Sequence, residues 1–487
     1  MNNNFQNVQP NIPQNFVSQQ PKNVNFPQQY PQNIQIHQNV SQNPNNDSFF
    51  SKYKVPIIVI SVVLIILIIV LLILFLMPRQ QPGPQMVTLT VWTRKLNENK
   101  FKQVIENFEK EYPNIKINLE IQPETEYKQR IVNRINNRVT NMANIVEIDE
   151  DWLYEFDPST LTPLSDENIN KNVSLALRKA NTAYGIQFAV PFRFDSLLLA
   201  YNVEDLKDID FDTVGEFKEF NWARLLQISP ELVETKTEID QRTQKEIKKV
   251  TKGSIAIGSP IYNKRSIDIL EMLFIQNNVL FYDEIKDEFL YSDKMYDSIN
   301  FYLSFVSEGA WDDRLGNYHD AFGEGNVTFI LVNAEDIRYL EKKYPDLDFN
   351  TTLPPIISDA KNISLGTSLI VPNYMPNTNE SKLFLEYLLR YESQKTLLDI
   401  DSDKPFLPSS TRVLDEIADN SRYNSFASLT NIVYGRSYPR TEMFRNAFNA
   451  YLTDIYSKYY SSNLQQSIDR LHTVQGVQRI INDLNTK

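Results

Sequence analysis

The sequence predicts an α/β globular part in two lobes, preceded by a disordered tail and one membrane-spanning helix. Three observations carry that expectation. Between Val87 and Ile148, strand-like alternation and helix-like spacing follow in the order strand, helix, strand, helix, strand, which marks an α/β layer with a largely parallel sheet. The globular part runs to about four hundred residues, beyond the roughly 250–300 that one hydrophobic core supports, so two lobes are expected. Finally, Val55–Met77 reads VPIIVISVVLIILIIVLLILFLM, with no charge and with Ser61 as its only polar side chain.

Each element has a local reason. Val87–Val91 alternates apolar and polar residues, and Trp92-Thr93-Arg94 follows as a loop. Phe101, Val104, Ile105, Phe108 and Tyr112 recur at helical spacing until Pro113 stops the helix. Ile115, Ile117, Leu119 and Ile121 alternate with Lys116, Asn118 and Glu120 as a second strand. Tyr127, Ile131, Ile135, Val139 and Met142 line one face of a second helix, and Asn144–Ile148 is the third strand. Farther along, Ser196–Tyr201, Ser254–Ile257 and Val327–Val332 read as buried strands, Asp268–Gln276 and Ser381–Tyr391 as amphipathic helices. Glu231–Lys252, crowded with Glu, Lys, Gln and Thr, reads as a solvated helix or hairpin without a role of its own.

The apolar run divides the chain chemically. Asn and Gln make up about half of residues 1–50, a composition that buries too little apolar surface to offset chain entropy, so this tail is expected to be disordered. As a helix, the run would cover roughly 34 Å, enough for a ~30 Å hydrocarbon core. Its span is taken as 51–78, followed by a linker at 79–86. Lys52 and Lys54 abut it on one side, which by the positive-inside rule places the tail in the cytoplasm and residues 79–487 outside. Lys22, Lys52, Lys54 and Asp47 are the only charges in residues 1–78. The remainder therefore holds 46 basic and 60 acidic residues, a net charge of −14, which argues against nucleic acid as a partner.

Absences narrow the chemistry further. The chain has no cysteine, hence no disulfide, thiolate metal site or lipidated cysteine. Only His319 and His472 lie beyond the apolar run, no G-x-S-x-G surrounds a serine, and no Gly-rich phosphate loop occurs. No cofactor, metal site or catalytic residue is expected.

Several stretches in fixed order resemble a known family. They are VTLTVWTRKLNENKFKQVIENFEKEYPNIKINLE at 87–120, NIVEIDEDWLYEF with LTPL at 144–164, YGIQFAVPFRFDSLLLAYN at 184–202, AFGEGNVTFILVNAEDI at 321–337, then SLGTSLIVPN and FLEYLLRYESQ. Together they resemble the family 1 extracellular solute-binding proteins, the maltose-binding-protein-like receptors of ABC importers, over residues 87–487. Two departures stand out. An uncleaved apolar segment stands where such proteins carry a cleaved signal or lipidated Cys, and Leu365-Gly366 replaces the usual Gly-Gly.

The resemblance implies a periplasmic-binding-protein-like fold, type II-like, with two lobes joined by a hinge. One lobe is expected at about 87–193 and 333–367, the other at about 196–330 and 370–487. Ligand would sit between them, contacted by Trp92, Arg94, Trp152, Arg193, Asp195, Trp311, Asn333 and Tyr438. Plainer alternatives stand beside these roles: packing for Trp92, a buried helix start for Trp152, an interlobe ion pair for Arg193 and Asp195. The implied function is capture of a small solute, a sugar or oligosaccharide, for ABC permease subunits, by a protein held in the membrane through residues 55–77. A surface adhesin or sensor on the same fold is the alternative, and a glycosidase with paired carboxylates a more distant one.

Overall fold

The computed structural model describes residues 54–76, 85–94, 96–207, 221–239, 241, 244–357, 360–436, 438–459 and 470–486. The Asn/Gln-rich tail, Lys52 and most of the expected linker lie outside the described residues. Two units divide the chain, Met1–Gln81 and Pro82–Lys487.

In the first unit, helix α1 spans Lys54–Leu76, 23 residues. Pro56 falls in its first turn, where a missing N–H breaks no intrahelical bond. Side chains are described for 59–72, and all of them are exposed. Among the described residues, no helix is long and apolar enough to cross a membrane.

The second unit is built on strands β1 (Val87–Thr93), β2 (Ile115–Ile121), β3 (Ile145–Asp149), β4 (Ala189–Arg193), β5 (Leu198–Asn202), β6 (Glu234–Ile239), β7 (Glu246–Ile255), β8 (Val327–Val332), β9 (Phe349–Thr352) and β10 (Thr367–Ile370). They form two five-stranded sheets, in the orders β2-β1-β3-β10-β4 and β9-β5-β8-β7-β6. In the first, β1 runs parallel to β2 and β3, while β10 lies antiparallel between β3 and β4. In the second, β7 and β8 are parallel and the other pairings antiparallel. The largely parallel expectation thus describes only the start of the first sheet. Strands returning from the other lobe enter in the opposite direction.

Helices α2 (Glu98–Glu111) and α3 (Tyr127–Asn136) cover the first sheet. Asn97 caps α2 by accepting from the Lys100 N–H. Phe101 is wholly buried there, edge-on to Phe192 at 5.9 Å and to Phe384 at 6.5 Å, contacts that add about 0.5–1.5 kcal/mol each beyond area burial. Helix α3 is shorter than its apolar spacing suggests. It stops at Asn137, and Arg138 turns left-handed with φ 52°, so Val139 and Met142 fall beyond it. The second sheet carries α4 (Ser266–Gln276) and α5 (Ala334–Lys343). The polar stretch at 231–252 is a hairpin of β6 and β7, exposed over most of its length.

The boundaries between lobes differ from the sequence-based division. Helix α5 packs on β8, and Phe349–Thr352 pairs with Leu199–Asn202, so 333–352 belongs to the second lobe. Conversely, α6 (Thr378–Leu388) and α7 (Tyr391–Leu397) pack on α2 in the first lobe. The chain recrosses only with α8 (Thr441–Tyr459) and α9 (Arg470–Asn485), where α8 packs on α4 and on α9. Amphipathic spacing marked Ser381–Tyr391 as a helix, but an apolar helix face fits either lobe equally well. Asn362–Ile363 and Val433–Tyr434 form a short parallel ladder that ties two of the crossing segments together.

Candidate functional site

The site begins at the carboxyl ends of β1 and β3. Arg94, directly after β1, donates from both terminal nitrogens to the Asp149 carboxylate, and its backbone N–H donates to Glu147 at 2.8 Å. Its guanidinium lies 5.0 Å from the Trp152 ring centre and 5.6 Å from that of Tyr127. Burial opposes charge on Arg94, but Asp149 and Glu147 outweigh it and hold the guanidinium more firmly protonated than usual. Trp152 projects from the 3-10 turn Glu150–Glu155 that leaves β3. Arg94 therefore buttresses the indole, while Lys128 of α3 lies 5.9 Å from the same ring.

Facing this arrangement is the start of α8 in the second lobe. Lys128 donates to Glu442 at 2.8 Å and to Glu155 at 3.2 Å. A cavity of about 210 Å³ lies between the lobes, lined by Lys128, Asp151, Trp152, Thr441, Glu442, Arg445 and Asn446. A second, of about 330 Å³, is lined by residues 260–264, Ser266, Ile267, Asn317, Arg445, Asn446 and Asn449. Nearby, the Tyr154 hydroxyl donates to Glu284 at 2.5 Å and joins first lobe to second.

Below the cavities lies a buried ion network. Arg445 contacts Asp268 at 2.7 Å and also donates to Glu271, Arg436 lies 3.5 Å from Asp268, and the Tyr438 hydroxyl donates to Glu271 at 2.8 Å. Arg265 reaches Asp268 at 3.3 Å and Asp336 at 2.8 Å. Burial pushes the Asp268 carboxyl up, but Arg445, Arg436 and Arg265 together overcome it and hold it below its ordinary value. For Glu271 burial wins, and its value is raised despite Arg445 and Arg436. Arg436 also lies 3.7 Å from Asp151, so the network reaches across to the first lobe. Among the described residues no group of three His, Cys, Asp or Glu side chains is placed to hold a metal.

Two lobes, crossing strands and a polar interlobe cavity with an aromatic wall suit the capture of a small solute. Residues 103–423 match the family of bacterial extracellular solute-binding proteins. The chain belongs to that family. No curated protein sequence matches it. Among solved structures, the sugar-binding protein MalE from Xanthomonas citri is similar at 15% identity and TM-score 0.66, over 82% of this chain and 97% of that one. A cyclo/maltodextrin-binding protein complexed with maltotetraose is similar at 16% identity and TM-score 0.62, over 83% and 98%. An ABC transporter solute-binding protein from Thermotoga lettingae, bound with α-D-tagatose, gives 14% and 0.57, over 82% and 99%. At such identities these likenesses establish the fold.

Within this solute-binding protein the residues singled out from sequence fall into three groups. Trp152 lines a cavity and Arg94 supports it. Arg193, Asp195 and Asn333 lie at the crossover between lobes and line neither cavity. Arg193 sits 3.8 Å from Glu147, and Asp195 accepts from the Asn333 side chain at 2.8 Å. Trp92, Trp311 and Tyr438 also line neither cavity. Trp92 donates to Glu120 at 2.7 Å and packs beneath Arg134. Trp311 is buried and donates to Asp313 at 3.1 Å. Tyr438 is buried among Phe281, Phe289 and Phe444. The resemblance implied cleft positions for all three, but β1 turns Trp92 onto the face covered by α3, and the other two fill the second lobe's interior.

Lys128, Asp151, Glu442, Arg445 and Asn446 were missed. For the last three a signal existed: Glu442, Arg445, Asn446 and Asn449 share one side of the helix, beside the stripe of buried Phe444, Phe448, Leu452 and Ile455. The doubled Gly of the resemblance has a structural answer as well. A Cβ on Gly366 would come 2.3 Å from the Arg193 carbonyl oxygen, so that close approach serves the crossing strands.

Proposed function

We propose that this chain is a membrane-anchored receptor that captures a carbohydrate between its lobes and delivers it to the permease of an ABC importer, catalysing nothing. The observation that carries the reading is Trp152 facing Arg445 and Asn446 across a polar cavity. An indole face suits the apolar face of a pyranose ring, and amide and guanidinium groups suit its hydroxyls. Sugar-bound relatives of the same fold support this choice of ligand.

Anchoring is supported by α1. Its 23 residues measure roughly 34 Å, the thickness of the hydrocarbon core, and its central side chains are apolar and exposed. Lys52 and Lys54 favour a cytoplasmic tail and an external solute-binding part. Calorimetry of the full-length chain against a sugar panel tests capture, with micromolar binding corresponding to about 8 kcal/mol. Binding unaffected by Trp152→Ala would overturn the aromatic-wall reading. Protease treatment of intact cells tests topology: external residues should be digested, and a protected solute-binding part would reverse the orientation.

A further inference from the structure

We infer that Tyr154 and Glu284 form a latch that holds the two lobes closed and so weights solute affinity without touching the solute. This rests on capture between the lobes, whichever solute is captured. Neither residue lines a cavity.

Each half of the latch is fixed in its own lobe. Tyr154 lies in the turn Glu150–Glu155, which also carries Trp152, and it is buried in the first lobe's core. Its ring is 4.7 Å from that of Tyr184, whose backbone N–H donates to the Tyr154 hydroxyl at 3.4 Å. With that lone pair engaged, the hydroxyl's own proton goes to Glu284 at 2.5 Å. Burial, and then Glu284, hold the phenol protonated well above its usual range. Glu284 stands at the tip of a hairpin in which Tyr282–Asp283 pairs with Glu288–Phe289. The Asp283 side chain accepts from the N–H groups of Ile285 and Lys286, at 3.0 and 3.2 Å, which sets the tip. At the root, Phe289 is buried 5.9 Å from Phe444. Its N–H and its carbonyl both bond the Asn485 side chain, at 2.7 and 2.9 Å. The hairpin is therefore an arm rooted in the second lobe's core, with its tip on the first lobe.

Both ends of this contact are protein, so it favours the closed form whatever occupies the cavity. The Tyr282 ring adds an edge contact to Tyr154 at 6.3 Å. The pair Lys128–Glu442 also crosses between lobes, but both of its members line the cavity and face solute. Tyr154–Glu284 stands clear of it. A solute gripped from both sides gains its full affinity only from the closed fraction, so the latch scales affinity without selecting among solutes. Because Trp152 and Tyr154 share one short turn, the latch also keeps the indole facing α8.

The test reads closure directly. The chain has no cysteine, so Glu106→Cys on α2 and Gln478→Cys on α9, both at exposed positions, allow one spin label per lobe. Double electron–electron resonance on the full-length chain, without added sugar, then gives the interlobe distances. Tyr154→Phe and Glu284→Ala should each lower the ratio of short-distance to long-distance population about threefold or more, within what one hydrogen bond contributes. Glu284→Gln keeps an acceptor for the Tyr154 hydroxyl and should retain most of the short-distance population. Should Tyr154→Phe fail to fold, Glu284→Ala decides alone, because Glu284 sits at an exposed tip. Distances unchanged by the substitutions, or a loss as complete in Glu284→Gln as in Glu284→Ala, overturn the latch. Capture between the lobes survives either result, since no solute enters the measurement.

Discussion

Asp195 accepts a hydrogen bond from the Asn333 side-chain amide at 2.8 Å and another from the Ala334 N–H at 3.2 Å. The crossover between β4 and β5 is thereby pinned to the first turn of α5, where Asn333 already forms a capping box with Asp336. Burial pushes the Asp195 carboxyl up to about 7, against the opposing pull of those N–H groups and Arg265. Glu150, at the end of β3, is likewise pushed by burial to about 7 despite the Ser364 hydroxyl and Arg436.

Both groups bind protons more tightly folded than unfolded, so their contribution to stability is complete below about pH 4 and declines as pH rises towards 7. Other buried acids oppose this only at lower pH, because Asp268 and Asp336 are held below their ordinary values. The melting temperature should therefore be higher at pH 5.5 than at pH 8. Asp195→Asn and Glu150→Gln should each flatten part of that slope. For Asp195 the effect has an upper bound of about 4 kcal/mol at pH 8. Thermal melts across that range check it, and a slope unchanged in both variants refutes it.

Two tryptophans with the same expected role should behave oppositely. Trp311 is buried in the core against Gly253, where a Cβ would lie 3.6 Å from its ring. Trp311→Ala should destabilise the chain by about 3–5 kcal/mol while leaving the affinity of the folded fraction intact. Trp152→Ala should do the reverse: a smaller loss of stability and a clear loss of sugar affinity. Denaturant unfolding paired with calorimetry separates the two, and a Trp311 variant that stays stable but binds no sugar would show that its role has been misread.

The strands and helices of this protein were legible because burial imprints a period on them. Phe101, Val104, Ile105 and Phe108 line one face of α2 and all four are buried. Lobe membership was less legible. Phe349–Thr352 carries no mark that it returns to Leu199–Asn202, since pairing partners are chosen by tertiary contact. Site residues were least legible. An indole beside a strand end looks the same in sequence whether it faces a cavity, as Trp152 does, or a helix, as Trp92 does. The polar face of α8 could have been read, because Phe444, Phe448 and Leu452 fix which side is buried.

Gly366 stands where two crossing segments nearly touch. A Cβ there would meet the Arg193 carbonyl oxygen at 2.3 Å and the Glu150 side chain at 3.1 Å. Backbone cannot swing aside as a flexible side chain can, so Gly366→Ala should force the crossover apart and destabilise by about 1–3 kcal/mol or more. Gly309 offers a comparison: its added Cβ would meet nothing within 4 Å, though its φ of +80° still makes alanine strained. If Gly366→Ala melts with the unaltered chain, the close approach is softer than its geometry indicates.

Arg445 joins the floor of the site to the interior of the second lobe. Removing its charge leaves two buried carboxylates, Asp268 with Arg265 at 3.3 Å and Arg436 at 3.5 Å, and Glu271 with Arg436 at 3.6 Å. Breaking a buried ion pair from one side costs about 3–5 kcal/mol, and Arg445→Met should approach that loss at neutral pH. The sign of its pH dependence is fixed by the same reasoning. Without Arg445 both carboxyls titrate higher in the folded protein, so protonation relieves the unpaired charge. The deficit relative to the unaltered chain should therefore shrink as pH falls from 7.5 to 5, and denaturant unfolding at both values measures it. A deficit that grows on acidification would mean that Arg445 acts through packing of its stem rather than through charge.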